Sequence, residues 1–156
     1  MTKLLMVCTS NVCRSPMAQT VTLHMAEQAG MARDVQVDSA GTHASLWKDP
    51  ADLRGKTVLS GRGYVIGKHR SRRVTEQDFS RYDLILAMDQ ENLNDLMRLC
   101  PADHTHKLHL FLEFAQGIDL CDIPDPYYGS VEGFERVLGL CEAGARGLLD
   151  RLQLRG

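Results

Sequence analysis

The stretch MVCTSNVCRSP, Met6–Pro16, decides how the chain is read. It closes the apolar run KLLMV (residues 3–7), which is short and uniform enough for a strand buried on both faces. Ser15 and Pro16 then read as a helix start, with the serine as N-cap and the proline at the first helical position. Between them lies a polar loop with two cysteines, Cys8 and Cys13, followed by Arg14. A strand, a loop and a helix in that order form the opening of a βαβ unit. In a parallel sheet, ligands bind beyond the carboxyl ends of the strands, where this loop would lie.

The same alternation continues outward. Met17, Val21 and Met25 recur at helical spacing up to Gly30. VQVDSAGT (35–42) reads as a second strand, and a short helix is expected around 50–62. Thr75 with Asp78 predicts a capped helical turn. YDLILAM (82–88) reads as a third strand, DQENLNDLMRLC (89–100) as a helix and KLHLFLEF (107–114) as a fourth strand. DIPDPYYGS (122–130) must be a loop, because Pro124 and Pro126 forbid regular structure. From Val131 to Leu152 an apolar stripe predicts a last helix, in which Gly133, Gly139, Gly144 and Gly147 are poor helix formers. The expected fold is α/β and three-layer. It has a four-stranded parallel sheet, helices on both faces and, after strand 1, a phosphate-binding loop whose N–H groups and Arg14 would hold the anion, with residues 1–156 forming one domain.

Composition narrows the function. The 156 residues are 44% hydrophobic and 24% charged, as in an ordinary globular chain. A formal net charge of -2 argues against a general nucleic-acid binder. No apolar run approaches the roughly 18 residues of a membrane span, and the start MTKLLMVCTSN lacks the form of a secretory signal. Five cysteines form no dense framework, so a reducing cytoplasm with free thiols is expected.

The opening loop has chemistry of its own. Backbone N–H groups between a strand end and a helix N-terminus can converge on an anion, and the helix dipole adds to that field. A cysteine placed there is favoured as the nucleophilic thiolate. Arg14 offers a planar fork for two phosphate oxygens. Nucleophile, cradle and clamp together suit phosphoryl transfer to sulfur. Two plainer readings stand beside this one. A zinc site would need more ligands at short spacing than the sequence supplies. A structural cysteine pair at a strand end is common, and Cys-x5-Arg is a short pattern.

VCTSNVCRSPMA resembles the signature loop of the low-molecular-weight protein tyrosine phosphatases. VDSAGTHA (37–44), KHRSRRV (68–74), YDLILAMDQENL (82–93) and IPDPYYGS (123–130) are similar to segments of that family in the same order, and SAGTHA resembles its bacterial branch. The resemblance covers nearly the whole chain. It implies that Cys8 is the nucleophile that becomes phosphocysteine, that Arg14 binds phosphate and that Ser15 donates a hydrogen bond to the Cys8 thiolate. Asn11, Ser39 and His69 would hold the loop in shape, and Thr9, Ser10, Val12 and Cys13 complete it. Asp125 would be the general acid. A phenolate leaving group benefits from a proton in the transition state, and the same carboxylate can then activate water. Asp122 is an alternative carboxylate in that loop.

Trp47, Tyr127 and Tyr128 are expected to wall a cleft deep enough to select phosphotyrosine. Relatives acting on phosphoarginine carry Thr at the position of Val12, where a hydroxyl can meet the guanidinium; valine lacks that hydroxyl. Ser10 departs from the glycine common in the family. Cys13 reads either as a buried helix-start residue or as a trap for oxidised Cys8. Cys100, Cys121 and Cys141 read as core or incidental thiols. KHRSRR (68–73) reads as a solvated basic face that attracts acidic substrates. DHTHKLH (103–109) is a poor metal site, and Asp89 is expected to buttress the loop. No cofactor, metal or nucleic acid is expected. The expected partners are phosphotyrosine proteins, a bacterial tyrosine kinase among them, acted on by a monomer or weak dimer. The rivals are a thioredoxin-linked arsenate reductase, a protein arginine phosphatase and a catalytically dead phosphate-binding module.

Overall fold

A computed structural model describes residues 1–155. Strand β1 (Thr2–Cys8) leads through the polar loop into helix α1 (Arg14–Gln28), then β2 (Val35–Gly41) and α2 (Leu53–Gly61). Next come α3 (Glu76–Arg81), β3 (Leu84–Ala87), α4 (Gln90–Leu99), β4 (Leu108–Leu110) and α5 (Val131–Arg155), with short 3-10 turns on either side of β4. The four strands are parallel in the order β2-β1-β3-β4. The chain leaves β1 on one side for β2 and crosses to the other side for β3. The carboxyl end of β1 is therefore the point where the winding reverses, and that is where Cys8 stands.

Alternation along β1 sorts its side chains into two cores. Leu4, Met6 and Cys8 pack with Met17, Val21, Val58, Phe134 and Leu138, from α1, α2 and α5. Leu5 and Val7 pack with Phe79, Tyr82 and Leu96, from the α3 and α4 side. Leu4 through Val7 have no exposed surface, which is why this strand is apolar at every position. Burial of each such side chain contributes roughly 1.5–3 kcal/mol. No helix among the described residues is long and apolar enough to cross a membrane.

Two local expectations need correction. Helix α1 begins at Arg14 with Cys13 as N-cap, so Ser15 does not cap it and Pro16 lies third in the helix. The proline is still tolerated there, since the first four helical N–H groups have no partner within the helix. The fourth strand is only Leu108–Leu110, and Phe111–Phe114 forms a 3-10 turn. Phe111, Leu112 and Phe114 are all buried, which an alternating strand with one covered face could not achieve. Helix α5 runs through its glycines as the apolar stripe predicts, and two of them make room for this turn. A Cβ on Gly144 would lie 2.6 Å from the Phe111 ring, and one on Gly147 would lie 1.8 Å from the Phe114 carbonyl oxygen.

Candidate active site

The loop after β1 is held open by its own carbonyls. Cys8 O accepts from Thr42 N (2.9 Å), Thr9 O from His43 N (2.8 Å) and Val12 O from Asp52 N (2.9 Å). Asn11 O accepts from His69 Nε2 at 2.7 Å. In a trans peptide the N–H points opposite the C=O, and no cis bond is present among the described residues. Tying these four carbonyls to the surroundings therefore turns the N–H groups of Thr9, Ser10, Val12 and Cys13 toward the loop centre. Gly41 makes this possible, because a Cβ there would lie 2.5 Å from Thr9 O. Ser10 is not in the left-handed region, so its side chain is accommodated where the family has glycine.

Asn11 is fully buried and adopts φ 61°, a conformation asparagine tolerates better than most residues. Its N–H points to Cys8 Sγ at 3.3 Å. Its Nδ2 donates to Ser15 Oγ (2.8 Å) and Ser39 Oγ (3.0 Å), while Oδ1 accepts from Arg72 N (3.0 Å). Ser39 in turn donates to Gln19 Oε1 at 2.7 Å, and Gln19 Nε2 donates to Val37 O at 3.1 Å. Backbone groups thus anchor both ends of the network. Ser15 Oγ lies 3.0 Å from Cys8 Sγ. Asn11 donates to that oxygen, so the Ser15 proton points either at the sulfur, as it must to serve a Cys8 thiolate, or at the more distant Ala40 O, 3.4 Å away. This explains why Ser15 does not cap the helix.

Arg14 is 2% exposed. Its Nη1 donates to Asp89 Oδ2 (2.5 Å) and to Ile123 O (3.0 Å), and Nη2 reaches Thr9 Oγ1 (3.3 Å). Burial works against its charge, but Cys8 and the Asp89 carboxylate outweigh burial and hold its pKa above the ordinary arginine value. Asp89 also caps α4, accepting from Asn92 N at 2.7 Å, and Asn92 Nδ2 donates to Thr9 Oγ1 at 3.0 Å. Burial holds His69 below the usual histidine pKa, against the opposing pull of its bond to Asn11 O. The Cys13 thiol is buried and pushed up to about 12, first by desolvation and then by Asp52, Cys8 and Asp125. All five cysteines are free thiols, with Cys141 buried in the core and Cys121 exposed.

The proline-rich loop brings Asp125 to this centre. Its Oδ2 lies 3.7 Å from Arg14 Nη2, and the side chain is half exposed. Asp122 points elsewhere and accepts from Gln90 N at 2.9 Å, so it serves the start of α4. Tyr127 and Tyr128 pack edge to face at 4.9 Å; Tyr128 and Trp47 are almost wholly exposed.

The profile of the low molecular weight phosphotyrosine protein phosphatases matches residues 3–155. The chain belongs to that family. A Streptomyces coelicolor low molecular weight protein-tyrosine-phosphatase is 42% identical over 92% of this chain and 88% of its own. The solved low molecular weight phosphotyrosine phosphatase of Vibrio cholerae is 40% identical, covers 100% of this chain and 99% of its own, and superposes with a TM-score of 0.94. A structure of the arginine phosphatase YwlE is 28% identical, with a TM-score of 0.85 over 97% of this chain and 96% of that one. The α/β three-layer fold expected from the sequence is the one this phosphatase family shares.

KHRSRR keeps a basic face, since Lys68, Arg70 and Arg73 are exposed, but the segment is also a strap along the phosphatase loop. His69 and Arg72 N hold Asn11. Buried Ser71 exchanges two 2.8 Å hydrogen bonds with the backbone of Asp49, Arg72 pairs with Asp78 at 2.9 Å, and Arg73 Nε donates to Ala44 O at 2.7 Å. Gln19, Asn92 and Arg72 N were not foreseen as partners of the loop. Asn92 within YDLILAMDQENL and Arg72 within KHRSRRV lie in segments that carry the resemblance, whereas nothing in the sequence singles out Gln19. Among the described residues no group of three or more His, Cys, Asp or Glu side chains is arranged to hold a metal ion.

Proposed function

We propose that the protein hydrolyses phosphotyrosine in protein substrates through a phosphocysteine on Cys8. The observation that carries this reading is the meeting of three groups at one loop. Cys8 Sγ faces the Asn11 N–H and Ser15 Oγ, the Arg14 guanidinium is locked by Asp89, and Asp125 stands 3.7 Å from Arg14. The Cys8 thiolate attacks phosphorus and the bond to the phenol oxygen breaks, with Asp125 giving its proton to that oxygen. Charge on the three equatorial oxygens meets the inward N–H groups and Arg14. Water then gives its proton to the Asp125 carboxylate and attacks phosphorus, releasing inorganic phosphate and the Cys8 thiolate. Ser15 stabilises that thiolate each time it forms, and Ser39 and His69 act through Asn11.

Trp47, Tyr127 and Tyr128 serve as cleft walls for the aromatic ring. Val12, with no hydroxyl, supports phosphotyrosine over the phosphoarginine that the name of the arginine phosphatase YwlE implies. We read residues 1–156 as one phosphatase domain, and the profile match over residues 3–155 supports this. Five free thiols support a cytoplasmic setting. A tyrosine kinase carrying its own phosphotyrosines is the partner to test first.

The test is turnover of an aryl phosphate with EDTA present. Cys8→Ser should abolish it, and Asp125→Ala should slow it by about 10²- to 10⁴-fold. Activity that survives Cys8→Ser would sink the mechanism. In a panel of phosphotyrosine, phosphoarginine and phosphoserine peptides, faster hydrolysis of phosphoarginine would overturn the substrate assignment.

A further inference from the structure

The start of the acid loop is well tied: Asp122 accepts from Gln90 N, and Ile123 N donates to Met88 O at 2.8 Å. Beyond Asp125 the ties turn inward on the loop itself. Tyr127 N donates to Asp125 Oδ1 (3.1 Å) and Gly129 N to Pro126 O (2.8 Å). Tyr128 is 97% exposed, and its ring packs edge to face on Tyr127 of the same loop. Among the described residues, one side chain from outside hydrogen-bonds to this half of the loop. Arg54, in the first turn of α2, donates from Nη2 to Tyr127 O (2.8 Å) and from Nη1 to Gly129 O (3.0 Å). The guanidinium is itself clamped, with Nε 3.1 Å from Asp52 Oδ1 and Nη2 2.9 Å from Asp52 Oδ2. Its plane lies over the Phe134 ring at 4.7 Å. Asp52, in turn, donates its N–H to Val12 O in the phosphate loop.

We propose that Arg54 is a positioning residue for Asp125, joining the acid loop to the phosphate loop through Asp52 so that the carboxyl sits at a set height over the phosphate. The inference rests on Asp125 being the general acid. Arg54 does not touch the reacting atoms; it fixes the backbone on the C-terminal side of the residue that does. Its planar fork is needed, because one group must meet two carbonyls and a carboxylate at once, which a lysine ammonium on a flexible stem cannot do in the same geometry. Small misplacements of a catalytic group cost up to about 100-fold in rate.

The experiment compares kcat/KM for phenyl phosphate, whose leaving group needs a proton, with that for 2,4-dinitrophenyl phosphate, whose leaving group does not. Arg54→Ala and Arg54→Lys should each lose about 10-fold or more on phenyl phosphate and less than about 3-fold on the dinitrophenyl ester, as for a partial loss of general-acid catalysis. Arg54→Lys keeps the charge, so its loss separates positioning from attraction of the anion, and it guards against an alanine variant that does not fold. In an Asp125→Asn background the Arg54 change should cost less than about 2-fold, because two residues acting as one unit are not additive. Equal losses on both esters, or additive losses with Asp125→Asn, would overturn the proposal. If Asp125→Asn itself loses equally on both esters, the acid assignment fails and the inference falls with it.

Discussion

Asn11→Ala removes the side chain on which the phosphate loop is threaded. Three hydrogen bonds go, those to Ser15 Oγ, Ser39 Oγ and Arg72 N, and the last leaves a backbone donor without its partner. At roughly 1 kcal/mol net for each bond, the loss is about 3 kcal/mol. Alanine at φ 61° adds about 1 kcal/mol of backbone strain. The expected destabilisation is about 4 kcal/mol, a large part of the roughly 5–15 kcal/mol that holds a typical domain together. Activity should suffer separately. Ser15 is no longer turned toward Cys8, and a hydrogen bond to a charged group is worth about 1.5–3 kcal/mol, so kcat should fall about 10- to 100-fold. Urea denaturation followed by far-UV circular dichroism measures the first effect; Trp47, 87% exposed, would be a poor fluorescent reporter. Asn11→Gly should be about 1 kcal/mol less damaging than alanine, since glycine accepts the backbone conformation. Asn11→Asp keeps the acceptor for Arg72 N but loses both donors, so it should resemble alanine in kcat more than in stability. A loss below about 1 kcal/mol, with kcat within about twofold of the parent, would refute the view that Asn11 organises the loop.

Two further outcomes follow from the packing and from one titration. Gly147→Ala would place a methyl 1.8 Å from the Phe114 carbonyl oxygen and should destabilise by roughly 1–3 kcal/mol or more, whereas Gly139→Ala, with nothing within 4 Å, should stabilise the same helix by about 0.5–1 kcal/mol. Opposite signs in urea denaturation check the pair. His69 has a folded pKa below its ordinary value of 6.5, so the unfolded chain binds more protons in the window between the two. Its contribution is present above about 6.5 and is lost as pH falls through the lower folded value. His69→Gln, which keeps a donor for Asn11 O, should flatten that part of the stability profile, and an unchanged slope would contradict the assignment.

The β1–loop–α1 unit was legible because its parts are contiguous. An apolar run, a polar turn and a helix start within a few residues place Cys8 and Arg14 without knowledge of any distant contact. The same local logic misread Ser15 as a cap, because the group that takes its hydroxyl, Cys8 Sγ, enters from the preceding strand. Read for charge alone, KHRSRR is a basic surface, and Lys68, Arg70 and Arg73 are exposed; composition does not show that Arg72 N holds Asn11, that Ser71 holds the Asp49 backbone or that the Arg72 side chain pairs with Asp78. The fourth strand was overlong for a related reason: apolar residues mark burial, and only the glycines of α5 show that a tight turn buries Phe111–Phe114.

Sequence by itself determined the alternation of strands and helices, the place of the reactive loop at the end of β1, and the chemistry of a thiol, a guanidinium and a carboxylate. Those features live within a turn or two of chain, which is the range of hydrophobic period and capping rules. The tertiary structure alone decided which groups hold them. Asn11 finds partners 28, 58 and 61 residues away, Arg14 finds Asp89 at a separation of 75, and Arg54 reaches Tyr127 at 73. Asp125 rather than Asp122 faces the phosphate loop for the same reason. The order β2-β1-β3-β4 brings the carboxyl ends of β1, β2 and β3 side by side, and the loops that leave them converge on one point. No local pattern records that convergence, because it exists only once the strands have paired.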